Sequence, residues 1–209
     1  MLDVHPPHHA ANTWRDFFIH IATIVVGLLI AIGLEQTVEF FHHRHIVREA
    51  RETIHHEIEL NRDAVKEDLA NIDLNQTRMK SDLVTLRVLY KNPNLKEKHL
   101  SYLFDWSSFN QSAWLSARDS GALTYMPPDE VQRYADIYDG QELVTSQATV
   151  VFAREAEVYA PFLMDENGDL SADEIRGVMR DTALTSTRLK ILRQLVQQLG
   201  EHYSETLRK

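Results

Sequence analysis

Along the chain the pattern of apolar and polar positions changes character twice. From Phe17 to Leu34 it reads FFIHIATIVVGLLIAIGL, eighteen residues without a formal charge, in which only His20 and Thr23 carry polar side chains. Isoleucine, leucine and valine fall there on every side of a helix, whereas a surface helix keeps one wet face. The run extends through EQTVEFF, so that residues 17–41 would cover roughly 37 Å, enough to cross a hydrocarbon core with some tilt. Trp14 and Arg15 before it, and Phe40, Phe41 and several histidines after it, supply interfacial boundaries. A cleaved signal peptide would place Lys or Arg before a shorter apolar stretch and small residues at the cut. His-Pro-Pro-His-His before the run and Glu35-Gln-Thr-Val-Glu-Phe-Phe after it favour a retained transmembrane helix instead.

Beyond the anchor the pattern becomes one-sided. Val47, Ala50, Ile54, Ile58, Asn61, Val65, Leu69, Ile72, Gln76, Met79, Leu83, Leu86 and Tyr90 stand three or four residues apart, with no proline before Pro93. This predicts one helix of about 70 residues, or two segments bent near Asn61 or Asn75. The early intervals of 3, 4, 4, 3, 4 and 4 approach an eleven-residue repeat before the pattern returns to 3, 4, 3, 4, and predict straight or weakly right-handed association instead of a uniform left-handed heptad coil. A stripe this long needs a partner, either a second copy or later helices folding back.

The pattern then shortens. KNPNLKEKH is a polar break, followed by expected helices over Leu100–Phe104 and Phe109–Arg118, with Gly121 as a stop. Pro127 or Pro128 opens the next helix, where Asp129 and Glu130 suit its positive end and Gly140 is a candidate bend or break. Trp106 and Trp114 read as core anchors. Ser171 and Glu174 form a capping box for a last helix whose apolar positions include Ile175, Val178, Met179, Leu184, Leu189, Leu192, Leu195, Val196 and Leu199. The expected fold is all-α: a short tail over 1–16, a transmembrane helix over 17–41, a long helical extension over 42–90, and a helical bundle region over 91–209. The long helix packs with shorter ones in a bundle or coiled-coil-like domain.

Composition narrows the function classes. A formal charge of −9 opposes a nucleic-acid footprint, which needs concentrated Lys and Arg to displace counterions. The absence of cysteine excludes disulfides, thiolate nucleophiles and Cys-ligated metals. Arg44, Arg48 and Arg51 follow the anchor, so the positive-inside bias puts the large domain in the cytoplasm.

Candidate chemistry is sparse. Thr23, Gly27, Ala31 and Glu35 recur every four residues, a small-residue face that lets membrane helices approach one another. Asp165–Glu174 resembles a calcium loop, but its terminal acids are nine residues apart instead of eleven and its glycine comes early, so a turn feeding the Ser171 cap explains it better. His42, His43 and His45, with Glu39-x-x-His42 and Glu52-x-x-His55, match the spacing of bundle metal sites. Both pairs lie on one helix, while such sites draw ligands from several. With no phosphate cradle, zinc-hydrolase motif or nucleophile elbow, no catalytic residue and no cofactor is expected.

The blocks WRDFFIHIATIVVGLLIAIGLEQTVE, residues 14–39, and SAWLSARDSGALTYMPPDEVQRYADIY, residues 112–138, resemble a family of uncharacterised bacterial single-pass membrane proteins with an N-terminal membrane helix and a helical domain. That resemblance implies architecture and bacterial origin and carries no functional residues; the expected location is a bacterial inner membrane. The expectation is a non-enzymatic, membrane-anchored scaffold or accessory protein, a homo-oligomer or partner of another membrane protein, in contact with the lipid bilayer. A channel-like or transport-accessory subunit, suggested by Glu35 and Glu39, and a metal-binding bundle protein or enzyme are the alternatives.

Overall fold

The computed structural model describes residues 13–92, 100, 105–164 and 170–208, and over them the chain is all-α. Its elements are α1 (Trp14–Lys91), α2 (Ser112–Asp119), a 3-10 turn over Ala122–Tyr125, α3 (Pro128–Met164) and α4 (Ala172–Thr206). Helix α1 is a single helix of 78 residues, so neither Asn61 nor Asn75 ends it. The chain divides into two compact units, Met1–Arg48 and Glu49–Lys209.

The first unit is the N-terminal part of α1, where every residue from Phe17 to His42 is exposed. It holds the one helix among the described residues that is long and apolar enough to cross a membrane, and none of its most apolar window is buried. Its threonines turn inward on the helix: Thr23 donates to the Ile19 carbonyl at 2.9 Å and Thr37 to the Gly33 carbonyl at 2.7 Å. Bonding back to the preceding turn removes two polar groups from the apolar surface.

The second unit is a bundle in which the long helix packs with the shorter ones. Helix α3 runs with α1, as the pairs Arg51–Glu130 and Glu57–Tyr138 require. Helix α4 returns antiparallel, pairing Asp73 with Arg193 and Tyr90 with Arg176. At one end of the core Leu86 and Leu89 pack with Val158, Leu170, Ile175 and Val178.

The buried positions of α1 correct the expected register. From Ile58 they run Ile58, Asn61, Val65, Asp68, Ile72, Asn75, Met79, Asp82, Leu86 and Leu89, a strict alternation of three and four residues. That is a heptad repeat, whose seam suits left-handed packing; the early intervals hold from Val47 through Val65, and the expected return to alternating threes and fours follows on a seam shifted to Asp68, Asn75 and Asp82. Leu69, Gln76 and Leu83 are half-buried beside the seam and Tyr90 is exposed; Asp68, Asn75, Asp82 and Leu89 take the central places. Helix α4 repeats the same alternation from Ile175 through Thr182, Thr185 and Leu189 to Tyr203, leaving Leu184 exposed.

Other boundaries follow local chemistry. Ser171 caps α4 with both halves of the capping box formed. Gly121 adopts the left-handed conformation, with φ of 77°, that ends the α2 region. Gly140 does not break α3; a Cβ there would lie 3.4 Å from Leu199 Cδ1, an ordinary contact with α4. Helix α2 begins at Ser112 instead of Phe109, because the preceding backbone is held by α1. The expected helix over Leu100–Phe104 falls mostly outside the described residues, as do Asp165–Asp169 of the calcium-like turn.

Candidate functional site

Three polar side chains on α1 take hold of the segment that enters α2. Asn61 donates from Nδ2 to the Asn110 carbonyl at 2.7 Å and accepts the Asn110 N–H on Oδ1 at 2.8 Å. Asp68 Oδ1 accepts the Ser107 N–H at 2.8 Å. Glu57 accepts from Ser112 Oγ at 3.0 Å, from the N–H groups of Ala113 at 2.8 Å and Trp114 at 3.4 Å, and from Tyr138 OH at 2.7 Å. The segment therefore descends against α1, with a side chain standing in for the backbone partner its N–H and C=O groups lack.

Glu57 also serves as the N-cap that α2 does not provide for itself. Gln111 makes no side-chain cap, and the carboxylate of another helix occupies the positive end instead. Trp114 then stacks on Tyr138, the rings 5.2 Å apart and 9° from parallel, so α2 is fixed to α1 by charge and to α3 by an aromatic face. Burial raises the Tyr138 hydroxyl, reinforced by its bond to Glu57. A carboxylate with four donors is a structural fastening, with no lone pair aimed at a substrate.

Asp68 differs from Glu57 in being only half satisfied. It is fully buried, and its Oδ2 has no hydrogen-bond partner among the described residues. Burial pushes its pKa up to about 6, against the pull of the Ser107 bond and with help from the neighbouring Glu67 and Asp105 charges.

An open cleft of about 610 Å³ lies where α1 meets the first turns of α3, lined among others by Arg51, Glu52, His55, His56, Glu130 and Arg133. Arg51 grips Glu130 with two 2.7 Å bonds, and this guanidinium holds the Glu130 carboxyl below the usual range. Arg133 pairs with Asp129, and His55 meets Tyr134 edge-on with ring centres 6.2 Å apart. The Glu52-x-x-His55 pair sits here without further ligands. Among the described residues no three His, Asp or Glu side chains gather to hold a metal ion.

The sequence-selected residues lie elsewhere. Thr23, Gly27, Ala31 and Glu35 are all exposed on the first part of α1, and no atom lies within 4 Å of where a Gly27 Cβ would stand. His42 and His43 lie next to each other with ring centres 6.1 Å apart, and His45 Nδ1 is 3.1 Å from Arg48 Nη2. Glu174 is used by the Ser171 cap, accepting from the Ser171 N–H and hydroxyl. The sequence reading missed Glu57 and Asp68, although the seven-residue interval of Asn61, Asp68, Asn75 and Asp82 signals a polar row on the packed seam.

No family model, curated protein or solved structure matches the chain.

Proposed function

We propose that the protein is a non-catalytic scaffold anchored in a bacterial inner membrane by residues 17–41, with the bundle on the cytoplasmic side. The single observation that carries this reading is the contrast in α1. Its first part exposes apolar side chains all around, Ile24 at 70% and Leu34 at 64%, while the chain from Glu49 onward builds a buried core of its own. Lipid is the solvent in which an all-round apolar helix is stable. The bundle adds a rigid body whose polar interior groups serve to fasten its own segments.

The scaffold assembles through the stripe of Thr23, Gly27, Ala31 and Glu35. Small residues there let two backbones approach, and van der Waals packing then holds helices together where the hydrophobic effect gives no net drive. The test is the oligomeric state of the full chain in mild detergent, before and after Gly27→Leu with Ala31→Leu. A wild-type oligomer that dissociates in the variant supports the assembly. A monomer in both cases removes it, and a chain that stays soluble without detergent and does not float with vesicles removes the anchor as well.

A further inference from the structure

We propose that Phe40, Phe41, Arg44 and Arg48 form a face that binds the phosphate headgroups of anionic phospholipids. At about 100° per residue these four side chains fall within a sector about 100° wide. All four are exposed, Phe40 at 56% and Phe41 at 64%. The Arg44 guanidinium lies 5.9 Å from the centre of the Phe40 ring, so an aromatic surface and a cation are already assembled side by side.

The stretch that carries the face is cationic, with acids only at its borders, Glu39 before it and Glu49 and Glu52 after it. From Phe40 to Arg48 the chain has two arginines and three histidines and no carboxylate. The nearest acid before it, Glu39, is directed away: Arg44 and Arg48 stand about 140° and 180° around the helix axis from it. Glu39 instead continues the side that carries Glu35, which the proposed assembly assigns to a partner helix. Arg44 is therefore left to the surrounding lipid, whereas Arg48 also meets His45 Nδ1 at 3.1 Å and has Glu52 one turn further on, about 40° around the axis.

The height also fits. Arg44 and Arg48 follow Phe41 by about 4.5 and 10 Å along the axis, and a headgroup layer is about 5–8 Å deep. Long arginine stems let the guanidinium settle at the phosphate level while Phe40 and Phe41 remain at the hydrocarbon edge. Arginine presents a fork of donors to phosphate oxygens, and its attraction to an anionic leaflet adds to the anchor.

This inference rests on the proposed anchoring, and the test separates the two. The full chain is reconstituted into phosphatidylcholine vesicles containing one fifth phosphatidylglycerol, and the lipids it retains on extraction are counted by mass spectrometry. The phosphatidylglycerol-to-phosphatidylcholine ratio of the retained lipid is expected at about tenfold that of the vesicles, falling to near the vesicle ratio in Arg44→Gln with Arg48→Gln. Both proteins are first floated with pure phosphatidylcholine vesicles. Failure of the wild type to float overturns the anchor and the headgroup face together. Floating without enrichment, or enrichment unchanged in the double variant, overturns the headgroup face alone. Enrichment abolished by inorganic phosphate at millimolar concentration assigns the arginines to a free anion and overturns the lipid. Arg44→Lys with Arg48→Lys, which keeps the charge, is expected to retain part of the enrichment; a result no different from the glutamine variant in a protein that still floats overturns the electrostatic basis.

Discussion

The Asn61 side chain pairs with the Asn110 backbone as one strand residue pairs with another, giving its Nδ2–H to the carbonyl and taking the N–H on Oδ1. Asn61 is 1% exposed, while Asn110 stands at the exposed surface. Replacing Asn61 with Leu makes this seam position apolar and leaves the two Asn110 backbone groups only what water can reach. The expected cost is about 2–4 kcal/mol in urea unfolding of the detergent-solubilised chain. Asn61→Asp replaces the donor by a charged oxygen facing the Asn110 carbonyl and is expected to cost at least as much as Leu at neutral pH; an Asp variant as stable as wild type would mean that the Nδ2 bond contributes nothing.

How much of this was legible in the sequence depends on which residues carry the signal. The candidate membrane-spanning helix was legible because Phe17–Leu34 is apolar on every side, and the α4 cap because Ser171 and Glu174 interact locally. The seam of α1 was misread because apolar content was used to choose core positions. Leu69 and Leu83 are more hydrophobic than Asp68 and Asp82, yet the carboxylates are the more deeply buried. The reason is non-local: an extended segment some 40–50 residues away brings bare N–H groups to α1, and only a polar side chain can meet them. A strict seven-residue recurrence of Asn and Asp carried the information, and composition alone obscured it.

Glu57 should matter chiefly to α2. Glu57→Ala removes the acceptor for Ser112, Ala113, Trp114 and Tyr138 together, and about 3 kcal/mol or more of stability is expected to go with it. Hydrogen exchange would report the locality: the Ala113 and Trp114 amides speed up before those of α4. Glu57→Gln keeps one acceptor oxygen and is expected to retain part of the protection. Equal exchange in all three proteins would show that the cap is not what holds α2.

Two glycines on α4 respond in opposite ways to the same methyl group. At Gly177 a Cβ meets no atom within 4 Å, so Gly177→Ala gains helix propensity and is expected to stabilise by about 0.5–1 kcal/mol. At Gly200 a Cβ would come 2.9 Å from Val65 Cγ1, across the interface with α1. Gly200→Ala is therefore expected to destabilise by about 1–3 kcal/mol through overpacking, and Val65→Ala on that background should recover part of the loss. Thermal unfolding of the single variants and the pair checks this; additive losses would argue against direct contact.

Asp68 makes stability depend on pH in the reverse of the usual carboxylate direction. Its folded pKa is raised from 3.8 to about 6 by burial, so the folded chain binds the proton more tightly than the unfolded one. The destabilising charge is fully present above about pH 6, is relieved as pH falls through that value, and is gone near 3.8. Glu67 and Asp105 work in the same sense, and no cation is within reach of the unpaired Oδ2 among the described residues to offset them. Asp68→Asn retains an oxygen for the Ser107 N–H and removes the charge. It is expected to raise stability at pH 8 by about 1–3 kcal/mol and to change little at pH 4. Urea midpoints at the two pH values decide it: an Asn variant that is weaker than wild type at pH 8 would mean the ionised carboxylate gains more from Ser107 than burial takes away.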